Sequence, residues 1–165
     1  MANSSSCDTA EQPFALAQYF YSIYASKNTI GVNTHVASSF YNSFYDMNSR
    51  INEYLSINKF SKSDNIIIIG HSLGGVYANI LAYNLLIKNY KNLHLLTVNS
   101  PRVGDYNFAK FLNYSLYINY RIFTFPEIVC TLPPQNILNY YHTGRGICVS
   151  FIDEFSVYIQ KKESN

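Results

Sequence analysis

The feature that most restricts this chain is the run Ile66-Ile67-Ile68-Ile69 leading directly into Gly70-His71-Ser72-Leu73-Gly74-Gly75. β-Branched side chains favour extended backbone, and four in a row between turn signals read as a strand buried on both faces, as in a parallel sheet. Behind the glycines, Val76, Ile80, Ala82, Leu85 and Ile87 carry a helical pattern to about Asn89, with Lys88 and Lys91 suited to its C-terminal end. Strand, tight turn and helix in that order begin a βαβ unit, so an α/β architecture is expected from this segment alone.

Upstream, Phe14, Ala17, Phe20 or Tyr21, and Tyr24 predict a helix over about 12–25, and Phe40, Phe44, Met47, Ile51 and Leu55 predict an amphipathic helix over about 38–57. Downstream, Leu93 to Val98 reads as a second strand, Ser100 to Asp105 as a tight loop and 106–113 as a short helix. From Ile118, apolar Ile118, Tyr120 and Ile122 alternate with Asn119 and Arg121, which predicts a strand. The phase change at Ile122-Phe123 predicts a bulge or a stretch buried on both faces. Pro126, Pro133 and Pro134 interrupt regular structure, and 147–152 and 155–159 read as two short strands. The expected fold is α/β, a mainly parallel sheet with helices on both faces and right-handed crossovers, in which ligands lie beyond the carboxyl ends of the strands. A length of 165 residues fits one domain, 1–165.

With 48% hydrophobic and 13% charged residues, the composition excludes a disordered chain. Twelve basic and ten acidic residues are scattered without forming a basic stripe, so nucleic acid is not an expected partner. No apolar run approaches the roughly 20 residues that span a bilayer. Met1 to Glu11 has no basic n-region before an apolar stretch, which points to a cytoplasmic protein. Cys7, Cys130 and Cys148 are too few and too irregular for a disulfide framework or a zinc site, and read as reduced structural thiols unless the segments of Cys130 and Cys148 adjoin. No metal and no cofactor are expected.

Gly70-His71-Ser72-Leu73-Gly74 is a G-x-S-x-G pattern placed between a strand and a helix, where a nucleophile elbow needs it. Such a turn strains the serine backbone, and side chains at 70 or 74 are expected to collide with their neighbours. It exposes the Ser72 hydroxyl at the sheet edge and puts the Leu73 N–H, at a helix start, where it can stabilise an oxyanion. The plainer reading is a glycine-rich turn with a helix-capping serine. In this architecture an acid and then a histidine follow the serine along the chain. Glu127 emerges just past the third strand of the series and is the candidate acid, against a surface carboxylate in a proline-rich loop; Asp105 is the weaker rival. Of the four histidines, His71 and His94 read as packing residues and His35 as a capping or packing residue, while His142 alone follows the acid. If the strand after it ran antiparallel, His142 would lie at the edge that holds Glu127, as a base or as a structural loop histidine.

Four ordered segments, IIIIGHSLGGVYANIL at 66–81, SPRVGD at 100–105, EIVCTLPP at 127–134 and YYHTG at 140–144, resemble the class 3, fungal-type lipases. A fainter echo lies in VASSF at 36–40, and the resemblance covers roughly 35–152. It implies a minimal α/β-hydrolase-like core, Ser72 as nucleophile and Glu127 in the place of the family's acidic aspartate. It also implies departures: no R-G-T/S segment for the second oxyanion donor precedes His35, and no histidine follows His142, where the family has its base. The chain looks like a lipase core shortened at both ends. The expected activity is hydrolysis of acylglycerol-like esters through an acyl-enzyme on Ser72, with transient contact to a membrane or lipid-droplet surface, and with Phe14 to Tyr24 as a lid or as core packing. The alternative is a catalytically inactive lipase-fold protein that binds lipid or a protein partner.

Overall fold

The extended segments Lys27–Gly31 (β1) and Thr34–Ala37 (β2) pair antiparallel around a two-residue turn in which Asn33 takes a positive φ of 50°. This hairpin leads straight into Ser38–Ile57 (α1), whose Phe40, Phe44 and Leu55 form the buried stripe that the four-and-three spacing predicts. The computed structural model describes residues 21–125, 127–150 and 156–159. Most of the helix expected over 12–25 therefore lies outside the described residues. Its end, 21–24, is helical, and Tyr24 packs edge-on against both Phe40 and Tyr140.

Ile66–His71 (β3), Leu93–Val98 (β4), Ile118–Phe125 (β5), Arg145–Ser150 (β6) and Ser156–Ile159 (β7) form one sheet in that order. The first four run parallel, and β7 returns antiparallel to β6. Leu73–Ile87 (α2) links β3 to β4, and Tyr106–Ser115 (α3) links β4 to β5. A short helix, Gln135–Leu138 (α4), lies on the way to β6. Parallel neighbours require these crossovers, since a tight turn can join only antiparallel strands. The result is a mixed, mainly parallel sheet flanked by helices, an α/β-hydrolase-like core.

Burial centres on α2, which packs between the sheet and α1. Its Val76, Ile80 and Leu85 meet Phe44 of α1, Leu93 and Leu95 of β4, and Phe108 and Leu112 of α3 in one apolar cluster. Fully burying an aliphatic side chain of this size contributes about 1.5–3 kcal/mol, so this cluster fixes the orientation of α2 and of the turn at its start.

Three sequence expectations need correction. The isoleucine strand is not buried on both faces: Ile68 is 6% exposed, but Ile67 and Ile69 are 65% and 66% exposed. β3 is the terminal strand of the sheet, and no described element packs over that face. Of the two readings of the phase change at Ile122-Phe123, the bulge is absent, since the pairing of β5 with β4 and β6 runs on without a shift. Arg121, on the polar phase of its alternation, is buried with its guanidinium 4.5 Å from the Phe123 ring, and burial lowers its pKa to about 10. Finally, the strand after His142 runs parallel to β5, not antiparallel.

Candidate active site

The turn between β3 and α2 is held by backbone contacts. Ser72 adopts φ 51° and ψ −122°, a conformation that costs about 1–3 kcal/mol in a residue with a side chain. Two sets of hydrogen bonds over-determine it. The Ser72 N–H donates to Val98 O at 2.9 Å, extending the β3–β4 ladder one residue, while the Ser72 carbonyl accepts from the N–H groups of Gly75 and Val76. A Cβ at Gly70 would lie 2.2 Å from Gly74 O, and one at Gly75 would lie 2.6 Å from Ser100 Cβ, so both must be glycine for helix and strand to meet this closely. Gly74 differs from the expectation: its Cβ position is open, with nothing within 4 Å.

Ser72 is half-buried and does not cap the helix with its side chain, which removes the capping-serine reading. Leu73 opens α2, and its N–H has no partner among the described residues, as expected of a first-turn donor. A half-exposed hydroxyl beside an unpaired N–H at a helix start suits attack on a carbonyl and stabilisation of the resulting oxyanion.

Glu127 follows β5 at the same carboxyl edge. It closes a turn by donating its N–H to Thr124 O, and its Oε1 accepts from the N–H of Val129 at 3.1 Å. The loop it opens is fastened by Arg102. The Arg102 N–H donates to Leu132 O, and its Nη1 donates to the carbonyls of Thr131 and Pro133. This gives the arginine of Ser100-Pro101-Arg102 a physical role, since one guanidinium satisfies two turn carbonyls at once.

His142 belongs to the same assembly. Its Nε2 lies 2.8 Å from Cys130 O and donates to it, because a carbonyl can only accept. Burial, reinforced by the charges of Arg121 and Arg102, holds its pKa well below the ordinary 6.5, so the ring is neutral with Nδ1 as the acceptor. The next residue, Thr143, donates to Asn79 Oδ1, and Asn79 Nδ2 donates to Gly75 O at 2.8 Å. Two adjacent residues thus reach opposite sides of the edge: Thr143 is hydrogen-bonded through Asn79 to the elbow, and His142 to the loop of Glu127. Because β6 is parallel to β5, the chain must return from the carboxyl edge to the amino edge. His142 meets the Glu127 loop on that return stretch.

The other candidates are placed elsewhere. His35 Nδ1 pairs with Asp105 Oδ2 at 2.7 Å, and Asp105 Oδ1 accepts from the Phe108 N–H to cap α3, so the rival acid is committed to structure. His71, expected to pack, is exposed; His94 is half-buried in β4. Cys130 is buried, Cys148 is half-buried and both are free thiols, while Cys7 lies outside the described residues. Among the described residues no cluster of His, Cys, Asp or Glu has the arrangement of a metal site, and no helix is long and apolar enough to cross a membrane. Asn79 and Thr143 were not singled out from sequence. The available signal was an asparagine in the apolar pattern of α2, a position that demands a buried partner.

Comparison with known proteins agrees with this geometry. Residues 7–137 match the family profile described as Lipase (class 3). A secreted mono- and diacylglycerol lipase 1 of Fusarium solani is 36% identical over 78 residues, which are 47% of this chain and 23% of that protein. The structure of Rhizomucor miehei triacylglyceride lipase superposes with a TM-score of 0.71 at 26% identity, covering 82% of this chain and 53% of that one. Lipase II from Rhizopus niveus gives 0.67 at 24% identity, covering 88% and 59%, and at that identity shows the fold alone. The chain spans about half the length of these solved lipases. With the profile matching well over half of its residues, this chain belongs to the class 3 lipase family.

Proposed function

We propose that the chain carries the nucleophile of a serine ester hydrolase acting on acylglycerol-like lipid esters. The observation that carries this reading is the backbone of Ser72, strained to φ 51° between a parallel strand and a helix whose first N–H is unpaired. Ser72 Oγ attacks the ester carbonyl carbon and passes its proton to a base, while the Leu73 N–H stabilises the oxyanion. Collapse expels the alcohol with that proton, and water then cleaves the acyl-enzyme to the carboxylic acid. Glu127 orients the base. His142 is the candidate base within the chain; with Nε2–H committed to Cys130 O its free acceptor is Nδ1, and to act it must present that nitrogen to the serine. Substrate would arrive by transient contact with a lipid surface.

One observation favours a second reading, a lipase-fold protein that binds lipid or a partner without catalysis. The groups that would complete a triad are engaged elsewhere, His142 Nε2 with Cys130 O and Glu127 Oε1 with the Val129 N–H. A fluorophosphonate probe with mass spectrometry separates the two. Labelling of Ser72 that vanishes in Ser72→Ala supports the hydrolase, and its further loss in His142→Ala supports His142 as base. A folded chain that takes no label overturns the hydrolase reading.

A further inference from the structure

At the amino edge of the sheet, a cavity of about 400 Å³ opens between the C-terminal ends of α1 and α2. Both helices end in the same way. Lys59 (φ 55°) and Asn89 (φ 67°) take left-handed conformations, and the N–H groups of Phe60 and Tyr90 reach back to Leu55 O and Leu85 O. The two turns bring Phe60 and Tyr90 into the cavity wall together with Lys59, Lys62 and Lys88. No carboxylate lines it, and among the described residues no aspartate or glutamate forms an ion pair with any of the three lysines. Lys88 Nζ is held by Asn52 Oδ1 at 2.6 Å, and Lys62 Nζ stands 3.7 Å from the centre of the Tyr90 ring. The partial negative charge of a helix end explains Lys59 and Lys88 singly. It does not explain Lys62, which approaches the same wall from the connecting loop.

We propose that this cavity binds a soluble phosphate monoester bearing a small apolar group. Three lysines lining one cavity without a carboxylate match a phosphate of charge about −1.5 to −2 better than a carboxylate, which would leave two of them uncompensated. The volume exceeds what a bare phosphate needs and lies within the range of small-ligand pockets. Phe60, 37% exposed, offers the apolar wall for the organic part. A soluble source is favoured over a lipid headgroup by position. Six residues of β3 at about 3.3 Å each put the cavity roughly 20 Å from Ser72, so a bilayer docked here would hold the nucleophile away from its surface.

The test titrates the isotopically labelled full chain with phenyl phosphate, and separately with inorganic phosphate, against sodium chloride of equal ionic strength, following amide shifts. Saturable shifts at Lys59, Lys62 and Tyr90 are expected, tighter for the ester than for phosphate. The exposed substitution Lys62→Gln, and the pair Lys62→Gln with Lys88→Gln, should each weaken binding by about tenfold or more at unchanged melting temperature. Shifts that sodium chloride reproduces, shifts that persist in the variants, or binding confined to vesicles containing phosphatidic acid would each overturn the proposal.

Discussion

Around Ser72 the chain is fixed by backbone crowding between near neighbours, with the Cβ position of Gly70 only 2.2 Å from Gly74 O. Across the same sheet edge, the segment 127–144 is fixed by side-chain donors that reach distant carbonyls, Arg102 to Thr131 and Pro133 and His142 to Cys130. Steric exclusion does not depend on protonation or salt. The hydrogen-bonded loop depends on two groups that carry, or can acquire, charge. Ser72 is therefore held rigidly, while Glu127 and His142 are held by contacts that solution conditions can weaken.

Substitutions sharpen this contrast. The largest effect is expected from Gly70→Ala, where the intruding methyl meets backbone that cannot move aside; a loss of about 3 kcal/mol or more is predicted, read from the midpoint of urea unfolding. Arg102→Met should cost about 2 kcal/mol, because it strands two turn carbonyls, and should speed proteolysis within 127–134 while leaving the elbow protected. If both segments loosened together, the contrast between them would fail.

Acid provides the next test. The folded pKa of His142 lies below its unfolded value of 6.5, so between the two the unfolded chain binds the proton and the folded chain does not. Stability is thus predicted to fall as pH drops below about 6.5 through this group. His142→Gln, which keeps an N–H donor for Cys130 O, should flatten that part of the profile; an unchanged slope would assign it to other groups. The smallest effect is predicted at Gly74, open on all sides, where alanine should stabilise the helix by about 0.5–1 kcal/mol in thermal unfolding. Equal damage from Gly74→Ala and Gly70→Ala would show that crowding is not what fixes the elbow.

Much of this was legible in advance because it rests on local periodicity. The apolar spacing of α1, the extents of β4 and β5, and the turn at Ser72 all follow from which side chains are β-branched, apolar or absent. The readings that failed were long-range. Ile67 and Ile69 look as buried as Ile68 until the strand order places β3 at the end of the sheet. The direction of β6, and with it the route of His142 past the Glu127 loop, depends on the path of a connection with no periodic signal.

The sequence by itself determined that a strained serine sits between a strand and a helix in an α/β chain, because glycine placement and β-branching act on the backbone within a few residues. Only the tertiary structure decided what surrounds that serine. It joined Asn79 to Thr143 across 64 positions and His142 to Cys130, tied Asp105 to His35, and left one face of the isoleucine strand open. Such pairings are set by which segments the packed sheet brings together, which no local pattern encodes.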